Sequence, residues 1–310
     1  MSSPSQIANV SSAGSTRKRP GLLSSERVFI FTTLAPAVVL LSIYVFFPIL
    51  YSAYLSFFKT ALFTAKRFSG FDNYVQVFSK TLFWTALGNT LVYTAVSVVL
   101  TLALGLLAAV VLNGPIRGRN AYRTILFIPY IIPYAAYALL WYWLFDPRYG
   151  LINYLLSFVG IDAIAWLKSK NWVIPAFILM GLWKRLGFTM VLFLAGLQNI
   201  PAELHDAATV DGANRWQRFR YVTLPVLAPI TLFSAVIALI SALQIFVEPL
   251  VMTHGGPGDS SQSLGYLIYQ QGFVYTNVGQ ASVTALVLCA LTFGFTWLLL
   301  RRFDSKDVFG

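Results

Sequence analysis

Charge is scarce in this chain. Only 11% of its 310 residues are charged and 57% are hydrophobic, with a mean hydropathy of +0.70. Soluble domains carry about 25% charged residues, so a soluble single-core protein is excluded. Cysteine is nearly absent. Cys289 stands alone inside an apolar run, which rules out a disulfide within the chain and a metal site built on several thiolates. Histidine occurs twice, as His205 and His254, too few for a multi-histidine metal or haem site. A Ser/His/Asp set, metal ligands at useful spacing and a G-x-x-x-x-G-K-[ST] phosphate loop are all missing. The chain is therefore expected to have no catalytic residues and to bind no metal, nucleotide or other cofactor itself.

What is present is apolar sequence of membrane length. A spanning helix needs about 20 apolar residues, and six segments qualify: residues 28–58, 84–112, 122–145, 172–197, 226–252 and 281–300. The expected fold is an all-α polytopic membrane protein with six transmembrane helices. Residues 1–27 read as a disordered tail and residues 28–83 as the first span with its outer loop. Residues 84–303 read as the main membrane core and 304–310 as a short tail. The first apolar run is too long for the core of a cleavable signal, so it is taken as a retained helix.

The net charge of +11 would suggest nucleic acid in a soluble protein. Here many basic residues sit beside apolar runs, and membrane topology explains them better. With the N-terminus inside, thirteen of the 22 Lys and Arg fall on the inner side and seven on the outer, while Lys184 and Arg185 fall within the fourth run. The positive-inside rule then puts both termini in the cytoplasm. In the outer loop after the third run, Leu151, Leu155, Leu156 and Val159 recur at helical spacing, predicting a short amphipathic helix at the interface. Residues 253–280 carry no Lys or Arg and contain THGGPGDSS, a strong turn signal. Trp141, Tyr142, Trp143 and Trp172 read as interfacial anchors. Gly105, Ala108 and Ala109 are small enough to let a neighbouring helix approach.

Residues 201–225, PAELHDAATVDGANRWQRFRYVTLP, form the most charge-dense stretch, set between two apolar runs. Pro201 suits a first helical turn, and Asn199 is a plausible cap. Leu204, Ala207, Ala208 and Asp211 then share a face, and Gly212 is a natural terminator. A second short helix carries Trp216 and Phe219. The product is a helix–glycine–helix elbow on the cytoplasmic side. It can be a docking surface, with small residues for close approach and aromatics as anchors. It can equally be an amphipathic element resting on lipid headgroups.

The spacing of Asp206-Ala207-Ala208, Asp211-Gly212-Ala213, Phe219 and Leu224-Pro225 resembles the EAA loop of binding-protein-dependent ABC importer permeases, with Asp206 in the usual place of Glu. The stretches WKRLGFTMVLFLAGLQNIP, FDPRYGLINYLL and EPLVMTHGGPG resemble the carbohydrate branch of that family, which takes in maltose, lactose and glycerol-3-phosphate importers. The resemblance implies a multi-pass permease subunit in a bacterial or archaeal plasma membrane, surrounded by lipid. Its implied partners are a second homologous permease, two ATPase subunits that hold ATP and Mg, an extracytoplasmic solute-binding protein and a carbohydrate substrate, with no nucleic acid. It further implies that Glu203, Asp206, Ala207, Ala208, Asp211, Gly212, Ala213, Trp216 and Phe219 couple to the ATPase, and that Gly255, Gly256 and Pro257 meet the binding protein.

Ionisable residues inside spans are functional candidates by default. These are Lys184, Arg185 and Glu248. The resemblance adds Trp183 and Gly187 in the fourth run and the mid-part of the fifth, where Ser241, Gln244 and Glu248 are expected on one helical face. Trp183 can stack on a sugar, and Ser241 and Gln244 can hydrogen-bond to it. Lys184 or Arg185 can instead pair with Glu248 to lock two spans together. An ion-coupled secondary transporter using Glu248 is the alternative function, though it gives the elbow no role.

Overall fold

The computed structural model describes residues 22–59 and 66–302, with side chains from residue 29 onward. The tail assigned to residues 304–310 lies outside the described residues, as does most of that assigned to 1–27. The chain divides into two compact units, residues 1–51 and 52–310.

In the first unit a helix begins at Leu22, ahead of the expected residue 28. It runs as α1 (Leu22–Leu41), widens into a π turn at Ser42–Phe46, and continues as α2 (Phe47–Leu55), whose last residues belong to the second unit. The wide turn immediately precedes Pro48, which has no N–H to donate back along the helix.

The second unit opens with a two-residue antiparallel ribbon, β1 (Phe58–Lys59) and β2 (Arg67–Phe68), with Phe58 opposite Phe68. Next come α3 (Asp72–Phe78), α4 (Thr81–Asn113), α5 (Arg119–Ile131), α6 (Tyr134–Leu144) and α7 (Leu151–Ser157). Then follow α8 (Val173–Gln198), α9 (Ala202–Val210), α10 (Arg215–Arg218), α11 (Leu224–Val226), α12 (Ala228–Leu243), α13 (Leu264–Tyr269) and α14 (Val278–Arg302).

Among the described residues, four helical runs are long and apolar enough to cross a membrane: Phe29–Leu55, Thr81–Asn113, Val173–Gln198 and Val278–Arg302. The other two expected spans are not single helices. Residues 122–145 divide at Ile132, where α5 and α6 meet at 105°. The cause is Pro133, which forces Ile132 into an extended conformation (φ −61°, ψ 131°). Residues 226–252 bend by 66° at Leu227, just before Pro229, and break again at Gln244. The face expected to carry Ser241, Gln244 and Glu248 together therefore does not exist: Ser241 and Gln244 are exposed, and Glu248 is buried beyond the break.

One of the buried clusters lies where α4 crosses α8. Ala109, Leu112, Met190, Phe193 and Leu194 pack there with Leu227. Small residues set the approach: a Cβ on Gly105 would stand 2.6 Å from the Thr189 methyl. Gly187 plays the same part toward α5, since a Cβ there would strike the Leu126 carbonyl. Gly187 is thus a packing residue in this fold.

The short helix expected after the third run is present as α7, with Leu151 and Leu155 exposed. Buried Asn153 anchors it. Its amide donates to the Ile164 carbonyl (2.9 Å), and its oxygen accepts from the Trp166 indole (2.9 Å). Residues 253–277 are more than the turn that was expected. After the glycines the chain folds back as α13 and a π turn at Gln270–Val274. Leu264 and Leu267 are buried with Val77, Phe83 and Val283. The Ser263 hydroxyl caps α13 and donates to the Ile245 carbonyl (2.8 Å), while the Leu264 N–H donates to the Thr90 hydroxyl (3.0 Å).

Candidate functional site

The elbow at residues 201–225 forms as the sequence suggests, with one change at its start. Asn199 does not cap α9; it closes α8, and Pro201 occupies the cap position with φ −58° and ψ 135°. Glu203 sits in the first turn of α9, where a carboxylate complements the helix dipole. The end of α9 is closed by paired backbone bonds: the Gly212 N–H donates to the Thr209 carbonyl (3.0 Å) and the Ala213 N–H to the Ala208 carbonyl (2.9 Å). This closure requires a left-handed residue, and Gly212 has φ +80°.

The second arm is equally well defined. The Asn214 side chain accepts from the Gln217 N–H (2.9 Å), and the Gln217 side chain accepts from the Asn214 N–H (2.8 Å). Arg218 donates to the Thr209 hydroxyl (2.9 Å), tying the arms together. Trp216 and Phe219 lie with ring centroids 5.6 Å apart. From Arg218 the helix runs through a π turn at Phe219–Thr223 into α11.

The elbow is ordered yet open. Glu203, Asp206, Ala207, Asp211, Gly212 and Trp216 are exposed, while Ala208, Ala213 and Phe219 are half-buried. Val210 is 88% exposed and Trp216 65%. A Cβ added to Gly212 would meet nothing within 4 Å. Large apolar side chains, Val210 and Trp216, are thus left bare beside the carboxylates of Glu203, Asp206 and Asp211.

The intramembrane cations have different surroundings from those the sequence suggested. Lys184 and Arg185 on α8 are both buried, and no ion pair joins either to Glu248. Lys184 instead donates to the carbonyls of Pro129 (3.1 Å), Tyr130 (3.4 Å) and Ile132 (2.5 Å). These carbonyls are freed by the break at Pro133, where the helical ladder cannot use them. The ammonium also lies 4.6 Å from the Tyr134 ring centroid and 4.8 Å from that of Tyr137. Arg185 donates to the Tyr93 hydroxyl (3.1 Å). Gly181 makes room for that contact, since a Cβ there would be 2.5 Å from both partners.

Trp183 is half-exposed, stacked on Tyr137 at 5.7 Å and edge-on to Trp141 at 5.5 Å. Trp141 itself is 6% exposed, so it belongs to the core and is no interfacial anchor. Tyr142, Trp143 and Trp172 are exposed. Sequence reasoning missed Tyr93, Tyr134 and Tyr137 as partners of the cations. The available signal was the Tyr134/Tyr137 pair one turn apart beside the Pro133 break.

In the glycine-rich turn at residues 253–258, Gly255 is buried, with φ +84° and the Gln262 amide where a Cβ would stand. Gly256 and Pro257 are half-buried, and the Gly256 carbonyl accepts from Ser261 (2.6 Å). This turn shapes the returning hairpin, and Gly255 presents little surface to any partner. His254 is exposed with φ +50°.

Residues 101–306 match the family model described as the inner membrane component of binding-protein-dependent transport systems. Among curated proteins, the chain is 36% identical to the sulfoquinovosyl glycerol transport system permease protein of Agrobacterium fabrum, covering 91% of this chain and 92% of that protein. It is 31% identical to a trehalose/maltose transport system permease protein of Thermococcus litoralis (88% and 93% covered) and 35% identical to a lactose transport system permease protein of Rhizobium radiobacter (77% and 81%). A chain in the crystal structure of a bacterial ABC transporter that imports the acidic polysaccharide alginate shares the fold, with TM-score 0.76, 24% identity, and coverage of 90% of this chain and 96% of that one. This chain belongs to the family of inner-membrane components of binding-protein-dependent transport systems.

Proposed function

We propose that this chain is the permease subunit of an ATP-driven importer that passes a sugar or small glycoside from an extracytoplasmic binding protein into the cytoplasm. The observation that carries the proposal is the exposed elbow, whose left-handed Gly212, bare Ala207 and neighbouring aromatics make a socket piece for a second protein. With no phosphate loop in the sequence, ATP and Mg belong to two docked ATPase subunits. A second, homologous permease completes the pathway.

Six spans with both termini cytoplasmic are favoured by the charge asymmetry, provided each bent pair crosses as one unit. That orientation puts the elbow with its Glu203, Asp206, Asp211 and Arg218 on the ATPase side. The substrate path is assigned to the face that Trp183, Ser241 and Gln244 leave exposed. Gln244 opens onto a groove of about 460 Å³ walled mainly by Ile268, Ala285, Leu288, Cys289 and Phe293, where its amide can hydrogen-bond and Phe293 offers a ring face. Lys184 is assigned to holding the bent third span, and Arg185 to tying the fourth span to Tyr93 of the second. The ion-coupled alternative leaves the elbow without a role. Disaccharides and glycosides are the favoured cargo, because relatives are named for lactose, trehalose/maltose and sulfoquinovosyl glycerol.

Proteoliposomes holding this chain, its partner permease and the ATPases should take up a labelled sugar only with ATP inside and the binding protein outside. Uptake by this chain alone, driven by a proton or sodium gradient, would overturn the proposal.

A further inference from the structure

A second groove, of about 390 Å³, lies between α4, α12 and α14. It shares no residue with the elbow or with the surroundings of Lys184. Its walls are apolar, built from Val98, Leu239, Phe295 and Leu299 among others, and Arg302 stands in its lining. Arg302 is exposed and ends α14, beside Arg301, whose guanidinium covers the Trp297 ring at 5.1 Å. Thr94 is 4% exposed and lines the groove, and its oxygen has no hydrogen-bond partner among the described residues. On the same helix Thr90 donates to the Ala86 carbonyl (2.7 Å), whereas Ser97 and Thr101 share the unpartnered state of Thr94.

We infer that this groove binds one anionic phospholipid, with an acyl chain along Val98, Leu239, Phe295 and Leu299 and the phosphate on Arg302. Apolar walls alone would accept any lipid tail. A cation in the lining selects for a negative headgroup, as basic pockets between membrane helices do on the cytoplasmic side. The orientation proposed above places this lipid in the inner leaflet; binding itself does not depend on transport.

The test is native mass spectrometry of the assembled transporter, equilibrated separately with phosphatidylglycerol and phosphatidylcholine. Phosphatidylglycerol should be retained at least several-fold more tightly. R302Q should remove that preference, on the order of fivefold for one basic group, without weakening phosphatidylcholine. V98W, which fills the groove, should reduce both, and V99W provides a second filling variant should V98W fail to assemble. Equal retention of the two lipids by the unaltered protein, or an unchanged preference in R302Q, would overturn the inference. So would an efficient cross-link from L298C to the second permease, which would make the groove a subunit interface. Lipid selectivity can fail while sugar uptake persists, and uptake can fail while selectivity persists, so the two proposals are separately exposed.

Discussion

Replacing Gly212 by valine should lower ATP-driven uptake at least tenfold while the protein still inserts and assembles. Gly212 holds φ +80° so that α9 can close and α10 can begin. A side chain in the left-handed region costs about 1–2 kcal/mol, and a β-branched one more, because its second γ-substituent crowds the backbone. Since about 1.4 kcal/mol is a factor of ten in rate, strain of this size suffices to displace the elbow from its working shape. A global folding defect is not expected, because nothing lies within 4 Å of the added Cβ. Gly160→Val is the matched control: Gly160 also has a positive φ, +73°, and open space around it, but it belongs to the loop after α7. The control should transport nearly normally. Wild-type uptake by Gly212→Val, or an equal loss in Gly160→Val, would remove the elbow from the coupling mechanism.

Lys184→Met should destabilise the protein, and the loss should appear in thermal unfolding before it appears in substrate affinity. The ammonium satisfies carbonyls left open at the break before Pro133, those of Pro129 and Tyr130 at the end of α5 and of Ile132 just beyond it. Each hydrogen bond to a charged donor contributes about 1.5–3 kcal/mol, and each ring face below the ammonium adds about 0.5–2 kcal/mol. Methionine keeps the apolar stem but returns none of this, so a loss of about 3–5 kcal/mol is expected. In a chain of this size that amounts to roughly 10 °C in the midpoint of detergent-solubilised protein. A raised KM for the sugar with an unchanged midpoint would make Lys184 a substrate ligand after all. Arg185→Lys should have a smaller effect, because it surrenders only the contact with Tyr93.

The parts of this fold that the sequence announced are local ones. The elbow was legible because its main devices lie close together, Pro201 at the start and Gly212 at the turn, while the reciprocal caps Asn214 and Gln217 that fix the second arm went unread. The straight spans were legible because length and apolarity are all they require. The bent pairs were harder. Pro133 and Pro229 are visible, but unbroken hydrophobicity on either side concealed a 105° turn and a 66° turn. The role of Lys184 was hidden for a different reason: its partners are backbone carbonyls, which leave no mark on residue identity, and an acidic residue in the next span offered a more obvious partner. The returning hairpin at residues 253–277 was also out of reach. It is held by Asn89 and Thr90, more than 160 residues earlier, and only its glycine turn shows in the local pattern.

The measurement that bears most directly on the coupling role is a cross-link from the elbow. Ala207→Cys, in a background where Cys289 is replaced by serine, places one thiol on an exposed position of α9. In the assembled transporter this thiol should couple to a cysteine introduced in the cleft of an ATPase subunit, with a yield that changes on addition of ATP. Labelling of Ala207→Cys by a lipid-phase reagent, with no link to either ATPase subunit in any nucleotide state, would mean that the elbow rests on the membrane and does not transmit the force of ATP binding.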